Sequence, residues 1–155
     1  MKSKKLRIFN FPQNSGPYVV FNTLISKLNK DDSFIIFGAD DVMNPGMTKE
    51  MFNNKPCISK HMGVICLTKL MFDEFGGFMP WKVEADNNLI KRIEKKHKIK
   101  ILPKMFYRRE HSGQLTKGKY GFKTKYRRIL KNITKRMLRE GVLYVKPEYA
   151  DCHEI

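Results

Sequence analysis

Apolar residues along this chain fall into two kinds of run, and their alternation predicts an α/β protein. Val20, Leu24 and Leu28 recur four apart, with Ile25 beside them, so Pro17 to Asn29 reads as an amphipathic helix opened by a proline that suits its first turn. Before it, Leu6 to Phe11 is a strand candidate that ends in Pro12 and the polar turn Gln13-Asn14-Ser15-Gly16. After it, Phe34 to Phe37 is continuously apolar, as strands covered on both faces are. A short helix is expected over Thr48 to Phe52 with Thr48 as its N-cap, then a loop over 53–61, then a strand from Met62 to Leu67. Thr68 is placed to cap a short helix that stops at Gly76-Gly77. Asp86 to Lys96 carries Leu89, Ile90 and Ile93 on one face, and Ile99 to Leu102 and Met105 to Tyr107 read as strands parted by Pro103. The last pattern, Lys123 to Arg139, is a basic amphipathic helix whose apolar line includes Ile129, Ile133 and Met137 and is expected to pack on the core.

Composition narrows this to one globular unit over 1–155. An apolar content of 41% supports one core, and 18 aromatic residues (11 Phe, 6 Tyr, 1 Trp) argue against disorder. No apolar run nears the roughly 20 residues that span a bilayer. The basic N-terminus lacks the apolar core of a signal peptide, so the expected address is cytoplasmic, or peripheral to a membrane. Cys57, Cys66 and Cys152 show no CxxC pairing, which offers no zinc site and fits ordinary buried or partly buried thiols.

The formal charge is +16, and ten Lys or Arg with no Asp or Glu lie between Lys117 and Arg139. Such a segment attracts the phosphates of nucleic acid or of an anionic membrane surface.

Two stretches carry candidate chemistry. In FIIFGADDVMNPGM an apolar strand runs out into Asp40 and Asp41, a pair able to share a hard cation such as Mn²⁺ or Mg²⁺, which prefers oxygen ligands. In FDEFGGFMPWKVEADNNLIKRI the Gly76-Gly77 turn permits close backbone approach, Trp81 offers a flat apolar face for a sugar ring, and Asp86 stands at a helix start. There, backbone N–H groups and the helix dipole favour a carboxylate, which can take a proton from a hydroxyl.

In their order and spacing FGADDVMNP, FDEFGGF and ADNNLIKR, with NSGPYVVFN upstream, resemble the blocks of a family 2 glycosyltransferase over about Asn14 to Thr116. The resemblance implies a truncated GT-A fold, a nucleotide-diphospho-sugar transferase-like mixed sheet flanked by helices, and inverting transfer of a sugar from a nucleotide-sugar donor to an acceptor hydroxyl. It puts Asp86 at the catalytic base, Asp40, Arg109 and His111 at the donor diphosphate, and Asp40, Asp41 and His111 at the metal. Gly76, Gly77, Trp81 and Glu84 fall at the acceptor. The first aspartate of the family's metal motif falls on Gly38, and acidic positions beside the base fall on Ala85 and Asn88. The opening strand and helix of family members, which form most of the nucleotide pocket, are not matched, so a second chain completing that pocket is one expectation. The alternative is a non-catalytic nucleic-acid-binding protein that keeps the scaffold and uses Lys117 to Arg139.

Overall fold

Phe34 and Ile36 point to one face of a sheet and Ile35 and Phe37 to the other, so each residue of the Phe34–Phe37 run meets a core. This two-sided burial organises the fold. In the computed structural model, residues 7–38, 41–60, 64–104, 106–108 and 118–155 are described. The central sheet contains β2 (Ser33–Ile36), β4 (Cys57–Ser59), β5 (Ile65–Thr68) and β6 (Lys100–Leu102), in the order β2-β5-β4-β6. It is mixed: β5 runs antiparallel to β2 and β4, whereas β4 and β6 are parallel. Two further pairs lie apart from it. β1 (Phe9–Asn10) joins β8 (His153–Glu154), and β3 (Asp41–Met43) joins β7 (Phe106–Arg108), both antiparallel.

Helices flank the sheet. The residues of α1 (Pro17–Ser26), α3 (Lys69–Glu74) and α4 (Ala85–Ile93) pack with Phe34, Ile58, Ile65 and Leu67 into one apolar cluster, which Phe75 and Phe78 complete. On the opposite face α2 (Met47–Asn53) sets Met47 and Met51 against Cys57, Cys66, Leu102 and Phe106. Cys57 and Cys66 are register partners in the β4–β5 ladder and both are free and buried; burial pushes the Cys66 thiol up to about 12. They fit the expectation of ordinary packed thiols.

Several boundaries differ from the sequence pattern for local reasons. Residues 53–61, expected as a loop, contain β4, whose three residues are all buried in mid-sheet. The cap of α2 is Gly46 in the left-handed conformation (φ 78°), so the helix starts at Met47 and Thr48 lies inside it. Of the stretch Leu6–Phe11 only Phe9–Asn10 is strand, and α1 ends at Ser26 rather than Asn29. Thr68 does cap α3, its hydroxyl accepting from the Met71 N–H at 3.2 Å. The helix expected from Asp86 to Lys96 runs from Ala85 to Ile93, with Glu84 at its cap.

The basic helix α5 (Lys125–Arg139) is capped by Thr124. Its buried line is Arg127, Leu130 and Thr134, with Ile133, Met137 and Leu138 half-buried, whereas Ile129 is exposed. The expected packing of Ile129 on the core is thus corrected. The helix is rotated because Arg127 is drawn inward by Glu84 and Thr134 by Asn88. Beyond α5 the chain turns at Gly141 and crosses the domain as an irregular strap before pairing with β1.

Candidate active site

Ala85 and Asp86 open α4 immediately after a loop that two buried side chains hold. Arg92, fully buried one turn and a half further along α4, donates to the carbonyls of Phe75, Gly77 and Leu143 and to Asn88 Oδ1. Asn22 of α1, also fully buried, accepts from the Phe78 N–H at 2.9 Å and donates to the Phe78 carbonyl and to that of Glu148. The Gly-Gly-Phe segment is therefore gripped from both sides. Among the described residues no carboxylate pairs with Arg92; burial draws its guanidinium down to about 10, and it stays cationic at neutral pH among carbonyl dipoles.

Gly76 and Gly77 take left-handed backbone angles (φ 74° and 89°). A Cβ on Gly76 would meet the Val145 carbonyl oxygen at 1.7 Å, and one on Gly77 would meet Asn22 Oδ1 at 2.8 Å. The close approach that these glycines allow is thus to the C-terminal strap and to α1. Gly76→Ala is expected to lose about 1–3 kcal/mol through strained φ and displacement of the strap. A urea midpoint equal to the parent's would show that the strap yields freely.

Asp86 lies in the first turn of α4 and is partly exposed. The phenol of Tyr18, in the first turn of α1, lies close to it, and burial followed by the Asp86 charge keeps that phenol well above its ordinary range. Tyr18 therefore stays protonated beside the carboxylate. Its ring rests against Phe78 (centroids 5.2 Å apart), so the same loop residue that Asn22 fixes also fixes Tyr18.

Glu84, two residues before, is buried and has φ 66°, a conformation that costs a residue with a β-carbon about 1–2 kcal/mol. Its two oxygens are engaged: Oε1 accepts from Arg127 Nη1 at 2.7 Å, with Lys131 Nζ at 3.9 Å, and Oε2 accepts from Asn87 at 2.9 Å. Arg127 also donates to the Tyr120 carbonyl at 2.6 Å. A strained backbone at the entrance to α4 is thus tied to α5 by a buried ion pair, and Asn88, donating to Thr134 Oγ1 at 3.0 Å, makes a second tie. Trp81 is half-buried against the α1–α3–α4 cluster, which leaves part of its indole open to solvent.

Of the residues expected at a metal or diphosphate, Asp40, Arg109 and His111 lie outside the described residues. Asp41 is buried at the start of β3, and its backbone is the register partner of Arg108, the residue before Arg109. The β3–β7 ladder thus sets the backbone of Asp41 beside that of Arg108. Among the described residues no three His, Cys, Asp or Glu gather into a metal-sized group. A Mg²⁺- or Mn²⁺-type site asks for one or two carboxylates besides substrate phosphates, and Asp41 offers that donor chemistry.

Tyr18 and Arg127 are the site residues that sequence reasoning did not single out. Tyr18 lies close to Asp86 only in three dimensions, 68 residues earlier in the chain, and Arg127 stood undistinguished in a run of ten cations.

The fold and site together define a mixed α/β protein whose partly open carboxylate is presented at a helix start. No family model, no curated protein and no solved structure matches the chain.

Proposed function

We propose that this chain is a glycosyltransferase of truncated GT-A type, transferring a sugar from a nucleotide-sugar donor to an acceptor hydroxyl with inversion. The observation that carries the reading is Asp86: a partly exposed carboxylate at a helix N-terminus, close to the phenol of Tyr18 and five residues after the half-buried Trp81. An acceptor hydroxyl stacked near Trp81 gives its proton to Asp86 as its oxygen attacks the anomeric carbon. The bond from that carbon to the diphosphate oxygen breaks, and the leaving nucleoside diphosphate takes the electron pair. Arg109 serves the diphosphate. A hard divalent cation held by Asp40, Asp41 and His111 would neutralise charge growing on the leaving group. Glu84 keeps the entrance to α4 in shape through Arg127, and the glycine pair lets the supporting loop close on the strap. The strained φ at Glu84 supports a functional role for this entrance, because strain of this kind clusters at sites where geometry matters.

The test is a donor screen of the purified chain with UDP-, GDP- and TDP-sugars and Mn²⁺, reading sugar release and binding. Release or binding with one donor, weakened in Asp41→Ala, is expected. No response to any donor would overturn the proposal.

A further inference from the structure

α5 presents its charge and an apolar ridge to solvent side by side. Lys125, Arg128, Lys135 and Arg139 recur at i, i+3, i+10 and i+14, and all are exposed, as is Arg136 next to them. Arg136 has one distant acidic neighbour, Glu140 at 4.0 Å. The adjoining line consists of Tyr126 and Ile129, 36% and 47% exposed, and it continues into Phe122 (66% exposed) in the turn before the helix. Phe122 has one face over the Arg127 guanidinium at 4.5 Å and Tyr126 sets its edge to Tyr120 at 5.4 Å, so both rings are held in place and not merely loose. The inner side of the helix is anchored through Arg127, Leu130 and Thr134, so the outer side is fixed in orientation.

We propose that this outer face of α5, with the turn at Phe122, docks on an anionic lipid surface. Cations attract phosphate of any origin, and the apolar ridge decides between origins. A branched aliphatic side chain such as Ile129, beside Arg128, gains nothing against a phosphodiester backbone. At a bilayer interface it enters the acyl boundary while the neighbouring Lys and Arg extend to headgroups. Phe122 and Tyr126 suit the same depth. The face needs no helix that crosses the bilayer, and among the described residues none is long and apolar enough to do so. Docking is independent of the sugar-transfer reading, because Asp86 takes no part in it.

The experiment is co-sedimentation of the full chain with phosphatidylcholine vesicles, with and without about one-third phosphatidylserine, beside duplex and single-stranded DNA, all at about 0.1 M salt. Binding to the phosphatidylserine vesicles alone among the two lipids is expected. Phe122→Ser with Ile129→Ser should weaken it about tenfold. Replacing Lys125, Arg128, Arg136 and Arg139 by Gln should weaken it more than about a hundredfold, at about fivefold for each cation. Both sets of side chains are exposed, so beyond the loss of about 0.5–1 kcal/mol from the Phe122–Arg127 contact the fold should stay as stable as the parent's, and Asp86→Asn should bind vesicles normally. Absence of vesicle binding, or equal binding to uncharged vesicles, would overturn the proposal. So would tighter binding to DNA that the Phe122→Ser, Ile129→Ser variant retains, which would assign the face to nucleic acid.

Discussion

Arg92→Met is expected to remove about 4 kcal/mol or more of folding stability, the largest loss from any single substitution in the chain, because each buried acceptor left without its donor costs about 1–3 kcal/mol. Four acceptors depend on this guanidinium: three backbone carbonyls, from the loop after α3 and from the C-terminal strap, and Asn88 Oδ1. Three of these bonds are buried and the one to Leu143 is partly buried, so most of the acceptors gain no water when the donor goes. Methionine fills much of the volume and so isolates the polar loss from a cavity. Because domains of this size have about 5–15 kcal/mol in total, the variant should lose about a quarter or more of the parent's stability. Arg92→Lys keeps the charge but has no planar fork, and it should recover only part of the loss. Urea unfolding followed by circular dichroism measures both. A methionine variant within about 1 kcal/mol of the parent would show that the Gly76-Gly77 loop and the strap hold without it.

That substitution also shows which parts of the molecule are legible in the sequence. Arg92 could be placed on a helix turn from the pattern ADNNLIKR, but its partners lie 15, 17 and 51 residues away, in a glycine loop and in a strap with no periodicity of its own. The strand Phe34–Ile36 and the Thr68 cap were readable because the signal is local: an unbroken apolar run for burial on two faces, and a hydroxyl three residues before the N–H that it accepts. β4 was not, because Cys57-Ile58-Ser59 is too short to show a period and owes its central place to β5 and β6 on either side. The rotation of α5 was hidden for a similar reason. A run of cations with apolar residues at helical spacing predicts Ile129 inside, and only the buried Glu84 carboxylate, 43 residues upstream, explains why Arg127 goes in and Ile129 stays out. In the candidate site, the start of a helix near Asp86 was legible from residue order, and Tyr18 was not, since α1 and α4 meet only in three dimensions.

Asp86→Asn is expected to lower sugar transfer by about 10²- to 10⁴-fold, the usual worth of a positioned general base. The amide keeps the shape and can still meet Tyr18, but it cannot accept the acceptor's proton. Loss of the negative charge from the first turn of α4 forfeits a favourable interaction with the helix dipole of about 0.3–1 kcal/mol, so the protein should remain folded. Donor binding should be unchanged, because the reading places the donor's diphosphate with Asp40, Asp41, Arg109 and His111 and not with Asp86. The signature is therefore a fall in kcat with donor affinity preserved. Tyr18→Phe provides the companion measurement. It leaves the carboxylate in place, removes the phenol hydroxyl close to it, and should cost about tenfold in kcat through the changed polarity around the base. If Tyr18→Phe changed stability alone and left kcat untouched, Tyr18 would be a packing residue. If Asp86→Asn turned over at the parent rate with a donor that the parent uses, the base would have to be another group.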